Sequence, residues 1–229
     1  MHNSGFTFSR VREKMLEELL DLGIKDFRVL DAMNKVKRHI FMEEGFQSRA
    51  YENNAFPIGS GQTISQPFTV ARMTEELIRD QSGSKKFSRL LEIGSGCGYQ
   101  SAILSFFADE VVGLERIKSL AIKSRENLRE LGIRNVLIKH GDGMGDISDL
   151  GKFDGIICAA APIVFQEHFL EMINIGAKVI IPIGIAGKQK LHVYTKFEND
   201  KFSSQELDCL LYTSPSPRDA TLSRMPSSA

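Results

Sequence analysis

The sequence predicts an α/β fold: a doubly wound, mostly parallel sheet preceded by a small helical cap. Three observations carry that expectation. From residue 89 to 182, short apolar runs alternate with segments of helical period, the pattern of strand–helix–strand units. The first run, Arg89 to Ile93, leads into the glycine-rich turn Gly94-Ser95-Gly96-Cys97-Gly98 and then a helix. The second run, Val111 to Leu114, ends on Glu115, about 20 positions beyond the first glycine. In doubly wound folds an acidic residue there commonly holds a pair of ribose hydroxyls.

Taken in order, Phe8 to Leu22 reads as a helix with Val11, Met15, Leu19 and Leu22 at helical spacing, closed by Gly23. Asp26 can cap a second helix, Phe27 to Val36, with Phe27, Leu30, Met33 and Val36 on its apolar face. Lys37-Arg38-His39 reads as a solvated charge run and Phe41 as a core anchor. Residues 51–67 form a long stretch rich in Gly, Asn and small hydroxyls. Loops of that length in a compact domain are functional or disordered, and Phe56, Pro57, Ile58 and Ile64 speak against disorder. A helix follows to Arg79, with Val70, Met73, Leu77 and Ile78 inward.

The sheet is then expected as strand 89–93, helix 99–108, strand 111–114, helix 119–131 and strand 136–140. Strand 154–158, helix 165–174 and strand 178–182 complete the alternation. Lys190 to Phe197 and Phe202 to Leu211 read as two more strands, antiparallel to each other. Residues 1–60 are thus expected as the cap and the start of the substrate loop, and 61–211 as the core. Residues 212–229 carry three of the seven prolines and no periodicity, and read as a disordered or non-native tail.

A chain of 229 residues can bury one full core. Its 42% apolar and 25% charged residues are ordinary for a globular protein. Lys+Arg and Asp+Glu are both 29, which argues against a nucleic-acid-binding surface. No uncharged apolar run approaches ~18 residues, so no membrane span is expected, and residues 1–10 hold no signal core. Cys97, Cys158 and Cys209 lack metal-like spacing and read as free thiols in a reducing, cytoplasmic setting. The five histidines form no ligand pair, so no metal is expected. A monomer is expected.

Candidate site residues lie at the strand ends, where such sheets bind ligands. The turn reads G-x-G-x-G, with Tyr99 where a dinucleotide fold places its third glycine. That spacing favours a nucleoside ligand without a pyrophosphate. The alternative is a glycine turn with no ligand. Gly141-Asp142-Gly143 follows the third strand; Asp142 either accepts from an adenine amino group or is a turn residue. Ala159-Ala160-Ala161-Pro162 follows the fourth, leaving room for a ligand or for close packing. Ser65, shortly before Pro67, is a candidate helix cap.

The run Glu92-Ile93-Gly94-Ser95-Gly96-Cys97-Gly98 resembles motif I of the class I S-adenosylmethionine methyltransferases, a Rossmann-like fold. Ile58-Gly59 through Gln62-Thr63-Ile64-Ser65-Gln66-Pro67 adds a more specific likeness. With Arg38-His39-Ile40-Phe41, Glu115-Arg116-Ile117, Gly141-Asp142-Gly143, Ala159–Pro162 and Val179-Ile180-Ile181-Pro182-Ile183-Gly184, it resembles the protein-L-isoaspartate (D-aspartate) O-methyltransferase family over about residues 8 to 208. The resemblance implies methyl transfer from S-adenosyl-L-methionine to the free α-carboxylate of isoaspartyl residues in damaged proteins. It implies Ser65 as the active-site serine. It implies Gln62, Thr63, Ile64, Gly94, Gly96, Cys97, Glu115, Arg116, Gly141 and Asp142 as cofactor-binding positions. Leu210-Leu211-Tyr212-Thr213 stands where the family closes its chain with a V-P-L type strand. A methyltransferase on RNA or a small molecule, and a non-catalytic nucleoside-binding module, are the competing readings.

The chemistry fits the residues independently. A carboxylate is ionised at neutral pH and needs no general base. Placement and exclusion of water remain as the protein's tasks. A serine hydroxyl can orient one carboxylate oxygen as a donor, or it can cap a helix.

Overall fold

A computed structural model describes residues 4–82, 85–160, 162–185, 188–199 and 201–207. The expected tail, Cys209, the Leu210–Thr213 stretch and Ala161 lie outside the described residues.

Helices α1 (Ser4–Asp21) and α2 (Phe27–Lys35) open the fold. Asp26 caps α2 as expected, accepting from the Arg28 N–H at 2.9 Å. Met15, Leu19, Val29, Leu30 and Met33 are buried, but Leu22 and Phe27 are 47% and 74% exposed. Leu22 lies beyond the end of α1, and Phe27 is the first residue of α2. Two short 3-10 turns, Arg38–Phe41 and Glu44–Arg49, follow. Phe41 is a core residue as expected, but Arg38 is fully buried rather than solvated.

The stretch expected as irregular contains an antiparallel hairpin, β1 (Phe56–Gly59) and β2 (Gln62–Ile64), with Phe56 opposite Ile64. Its tip, Ser60-Gly61, has positive φ at both residues, the backbone of a tight two-residue turn. Helix α3 (Pro67–Ile78) follows, and its cap is Gln66, which makes no side-chain capping bond. The capping role considered for Ser65 is therefore not realised. Asn53 instead reaches the first turn, its Oδ1 accepting from the Phe68 N–H at 2.9 Å.

The main sheet contains β3 (Phe87–Ile93), β4 (Ala108–Glu115), β5 (Val136–His140), β6 (Phe153–Cys158), β7 (Ile173–Ile183), β8 (Lys190–Lys196) and β9 (Phe202–Leu207). Between them lie α4 (Tyr99–Leu104), α5 (Lys118–Glu130) and α6 (His168–Glu171). The strand order is β5-β4-β3-β6-β7-β8-β9. β5 through β7 run parallel, and β8 and β9 are antiparallel additions. Two expected helices shrink. α4 ends at Leu104, because Ala108 already belongs to β4, paired with Phe87. α6 is a single turn, because Ile173 pairs with Phe153 and starts a long, irregular β7.

Both faces of the sheet are covered. Leu90 and Val111 join a cluster with Met15, Leu19, Met33, Phe41, Ile78 and Ile103. Their neighbours Leu91 and Val112 join another with Phe153, Phe169, Val179 and Ile181. This explains why these strands read as continuous apolar runs rather than alternating ones. The chain lays β4 and β5 on one side of β3, then returns to lay β6 and β7 on the other. The order reverses at the carboxyl ends of β3 and β6, the place where doubly wound sheets bind their ligands.

Candidate active site

The glycine turn sits at this reversal. Gly94, Gly96 and Gly98 all have positive φ, a conformation open to glycine and strained for other residues. Space forbids a side chain as well. A Cβ on Gly98 would lie 2.4 Å from Ser124 Oγ, and one on Gly94 would lie 3.0 Å from the Ala160 N. The small residues Ala159 and Ala160 thus serve close packing: both N–H groups donate to the Ile93 carbonyl.

Most of the turn's donors are occupied within the protein. The Gly94 and Ser95 N–H groups donate to Leu114 O at 2.8 and 3.0 Å, and Gly98 N–H to Ser95 O at 2.7 Å. Gly96 N–H donates to Glu115 Oε2 at 2.8 Å. A pyrophosphate-binding turn offers its N–H groups to the anion; this turn has given four of them away. A ligand without phosphates is the one it suits.

Glu115 organises the corner. Its other oxygen, Oε1, accepts from the Ile117 N–H at 2.7 Å. Each carboxylate oxygen can accept twice, so both remain able to receive a hydroxyl. Gly141 N–H donates to the Glu115 carbonyl at 3.0 Å, bringing the β5 end beside the same residue. Arg116 is exposed, and its carbonyl accepts from His140 Nε2 at 3.1 Å. Asp142 does form a turn, Oδ1 accepting from the Met144 N–H at 3.0 Å. It is exposed, and its second oxygen has no hydrogen-bond partner among the described residues. The Cys97 carbonyl accepts from Asn127 Nδ2 at 3.0 Å, and burial pushes its thiol up to about 11, so the side chain is no nucleophile at neutral pH.

The hairpin packs over this corner. Ile58 approaches within 3.2 Å of where a Gly96 Cβ would stand. Ser60 Oγ at the tip lies 3.2 Å from Ser119 Oγ on α5. Ile64 is buried, Thr63 exposed, and Gln62 Nε2 turns back to the Gly61 carbonyl at 3.0 Å. Ser65 follows β2 at the edge of the core, half-buried. Its carbonyl accepts from Arg38 Nη2 at 2.8 Å.

Two residues escaped the sequence reading. Glu92, in β3, is buried at 1% exposure and accepts from the Ser101 hydroxyl. Burial pushes its carboxyl up to about 8, the Ser101 bond opposing and the Glu115 charge assisting. An acidic residue inside an apolar run was its signal. Arg38 carried none, since its partners are distant carbonyls.

The sequence model of the protein-L-isoaspartate(D-aspartate) O-methyltransferase family matches residues 10–217. A Cellvibrio japonicus protein-L-isoaspartate O-methyltransferase is 42% identical over 206 residues, covering 89% of this chain and 90% of its own. The enzyme of that name from Methylobacillus flagellatus is 47% identical over 180 residues, 79% of each chain. The crystal structure of a candidate member from Plasmodium falciparum, in complex with S-adenosyl-L-homocysteine, superposes with a TM-score of 0.74 at 28% identity. It covers 87% of this chain and 96% of its own. The chain belongs to the protein-L-isoaspartate (D-aspartate) O-methyltransferase family.

Proposed function

We propose that the protein transfers a methyl group from S-adenosyl-L-methionine to the free α-carboxylate of isoaspartyl residues in damaged proteins. Family membership over most of the chain and a glycine turn whose donors are turned inward carry the reading. The residues fit the cofactor. Glu115 offers two buried carboxylate oxygens to ribose hydroxyls, and Asp142 keeps one oxygen for an adenine amino group. Gly94, Gly96 and Cys97 line the approach with backbone only, and Gly141 does so at the β5 end. Gln62, Thr63 and Ile64 form the wall on the hairpin side, and Arg116 flanks the ribose corner from solvent. Bound there, the cofactor supplies an electrophilic methyl on a sulfonium.

The remaining work is positional. Ser65 donates its hydroxyl to one oxygen of the substrate carboxylate and leaves the other oxygen as the nucleophile. No general base is required, because the acid is already ionised. Buried Ile58 and Ile64 keep water from the carboxylate, whose reactivity rises as it is desolvated. The proposal extends to a monomer working in the cytoplasm on peptide and protein substrates, without nucleic acid or membrane. Its equal numbers of basic and acidic residues favour no polyanion. Among the described residues no helix is long and apolar enough to cross a membrane. Light scattering that returned the mass of two chains would overturn the monomer.

The deciding experiment incubates the full chain with labelled cofactor and a pair of peptides that differ only in an isoaspartyl or aspartyl linkage. Label on the isoaspartyl peptide alone is expected; equal label on both, or on neither, contradicts the proposal.

A further inference from the structure

Arg38 is a buried charge with an unusual set of partners. Two other buried charges are matched by opposite charges: Glu76 pairs with Arg72 and Arg79, and Lys178 with Asp80. Arg38 is 0% exposed, and among the described residues no carboxylate pairs with it. Two of its nitrogens donate to main-chain carbonyls, Nε to Ala50 at 2.8 Å and Nη2 to Asn54 at 3.4 Å and to Ser65 at 2.8 Å, while Nη1 is buried with no hydrogen-bond partner among the described residues. The guanidinium carbon lies 4.8 Å from the centre of the Tyr99 ring, and Phe41 meets the same ring edge-on. Burial pushes the Tyr99 phenol up to about 12, so this ring is neutral and supplies no counter-charge.

The order of these partners along the chain gives the arrangement its meaning. Ala50 and Asn54 precede β1, Ser65 follows β2, and Tyr99 opens the helix directly after the glycine turn. One planar fork therefore closes the stem of the hairpin and rests it on the helix that issues from the cofactor corner. Lysine cannot do this, because an ammonium lacks the fixed divergent donors and the flat face that stacks on a ring. With its carbonyl held, the Ser65 hydroxyl has little freedom left beyond its side-chain torsion.

We propose that Arg38 is a positioning residue for methyl transfer: it fixes the backbone of Ser65 relative to the glycine turn and so sets where the substrate carboxylate meets the methyl donor. This rests on the function proposed above. It predicts a substrate-side defect with the cofactor side intact, which a general loss of stability would not produce.

The test uses full-length Arg38→Lys and Arg38→Gln. Turnover and KM are measured on the isoaspartyl peptide, with rates counted per calorimetrically determined S-adenosyl-L-homocysteine site. The expected result is a fall in kcat/KM of about tenfold to a hundredfold per site in both variants, with cofactor affinity held within about threefold. Wild-type kcat/KM per site in either variant would overturn the proposal. So would a parallel fall in cofactor affinity, or a failure of both variants to accumulate as cofactor-binding protein, since Arg38 would then serve the fold as a whole. A wild-type arm that labels no peptide counts against the proposed function instead.

Discussion

The two sides of the proposed active site are held by different means. On the cofactor side, the glycine turn and Glu115 are bound to the ends of β3, β4 and β5 by short hydrogen bonds between adjoining strands. On the substrate side, a hairpin of four and three residues stands apart from the main sheet. It is held by Ile58 against the turn, by a hydroxyl pair at its tip, and by one buried guanidinium at its stem. In the proposed site, cofactor binding rests mainly on the sheet, with Gln62, Thr63 and Ile64 of the hairpin closing one wall, whereas substrate placement depends on a few side chains. Perturbing either side should leave a distinct signature.

The largest effect is expected from Glu115→Gln. An amide can accept one backbone N–H but opposes the other with its own donor. S-adenosyl-L-homocysteine affinity should fall about a hundredfold, measured by calorimetry, in line with the loss of charge-assisted hydrogen bonds. Affinity within about threefold of wild type would remove Glu115 from the corner.

Gly98→Ala should come next. Its Cβ would sit 2.4 Å from Ser124 Oγ at a φ of +91°. A cost of about 2–3 kcal/mol is expected from overpacking and backbone strain, seen as a Tm lowered by roughly 5–10 °C. An unchanged melting curve would show that the turn is not the tight packing element described.

A separate effect concerns pH. Glu92 holds its proton up to about 8 in the fold, against an ordinary 4.5. Between those values the unfolded chain has released a proton that the native chain keeps. The stability this group contributes is therefore full below about 4.5 and declines as pH rises through 8. Glu92→Gln cannot titrate, so its Tm should fall less than that of wild type between pH 5 and 8. Equal slopes in thermal melts across that range would contradict the protonated carboxyl.

The same division governs what could be read in the sequence. The turn and Glu115 were legible because local spacing defines them: glycines at 94, 96 and 98, then an acid at the next strand end. The two-sided burial of β3 and β4 was legible as unbroken apolar runs. The hairpin was not, since strands this short offer no alternation to detect and Pro57 is unusual within a strand. Arg38 was illegible for a stronger reason. Beside Lys37 and His39 it looked like part of a solvated face, and the carbonyls that receive it lie 12, 16 and 27 residues away. The expected helix over 165–174 failed similarly, because Ile173 answers to Phe153 across the sheet rather than to its helical neighbours.

The most direct test of a site with two separately held sides is Ser65→Ala, with turnover on the isoaspartyl peptide and cofactor affinity measured on the same preparation. Losing one orienting donor should lower kcat by roughly tenfold to a hundredfold while S-adenosyl-L-homocysteine affinity stays within about twofold. Wild-type turnover, or a loss of affinity as large as the loss of turnover, would contradict the account.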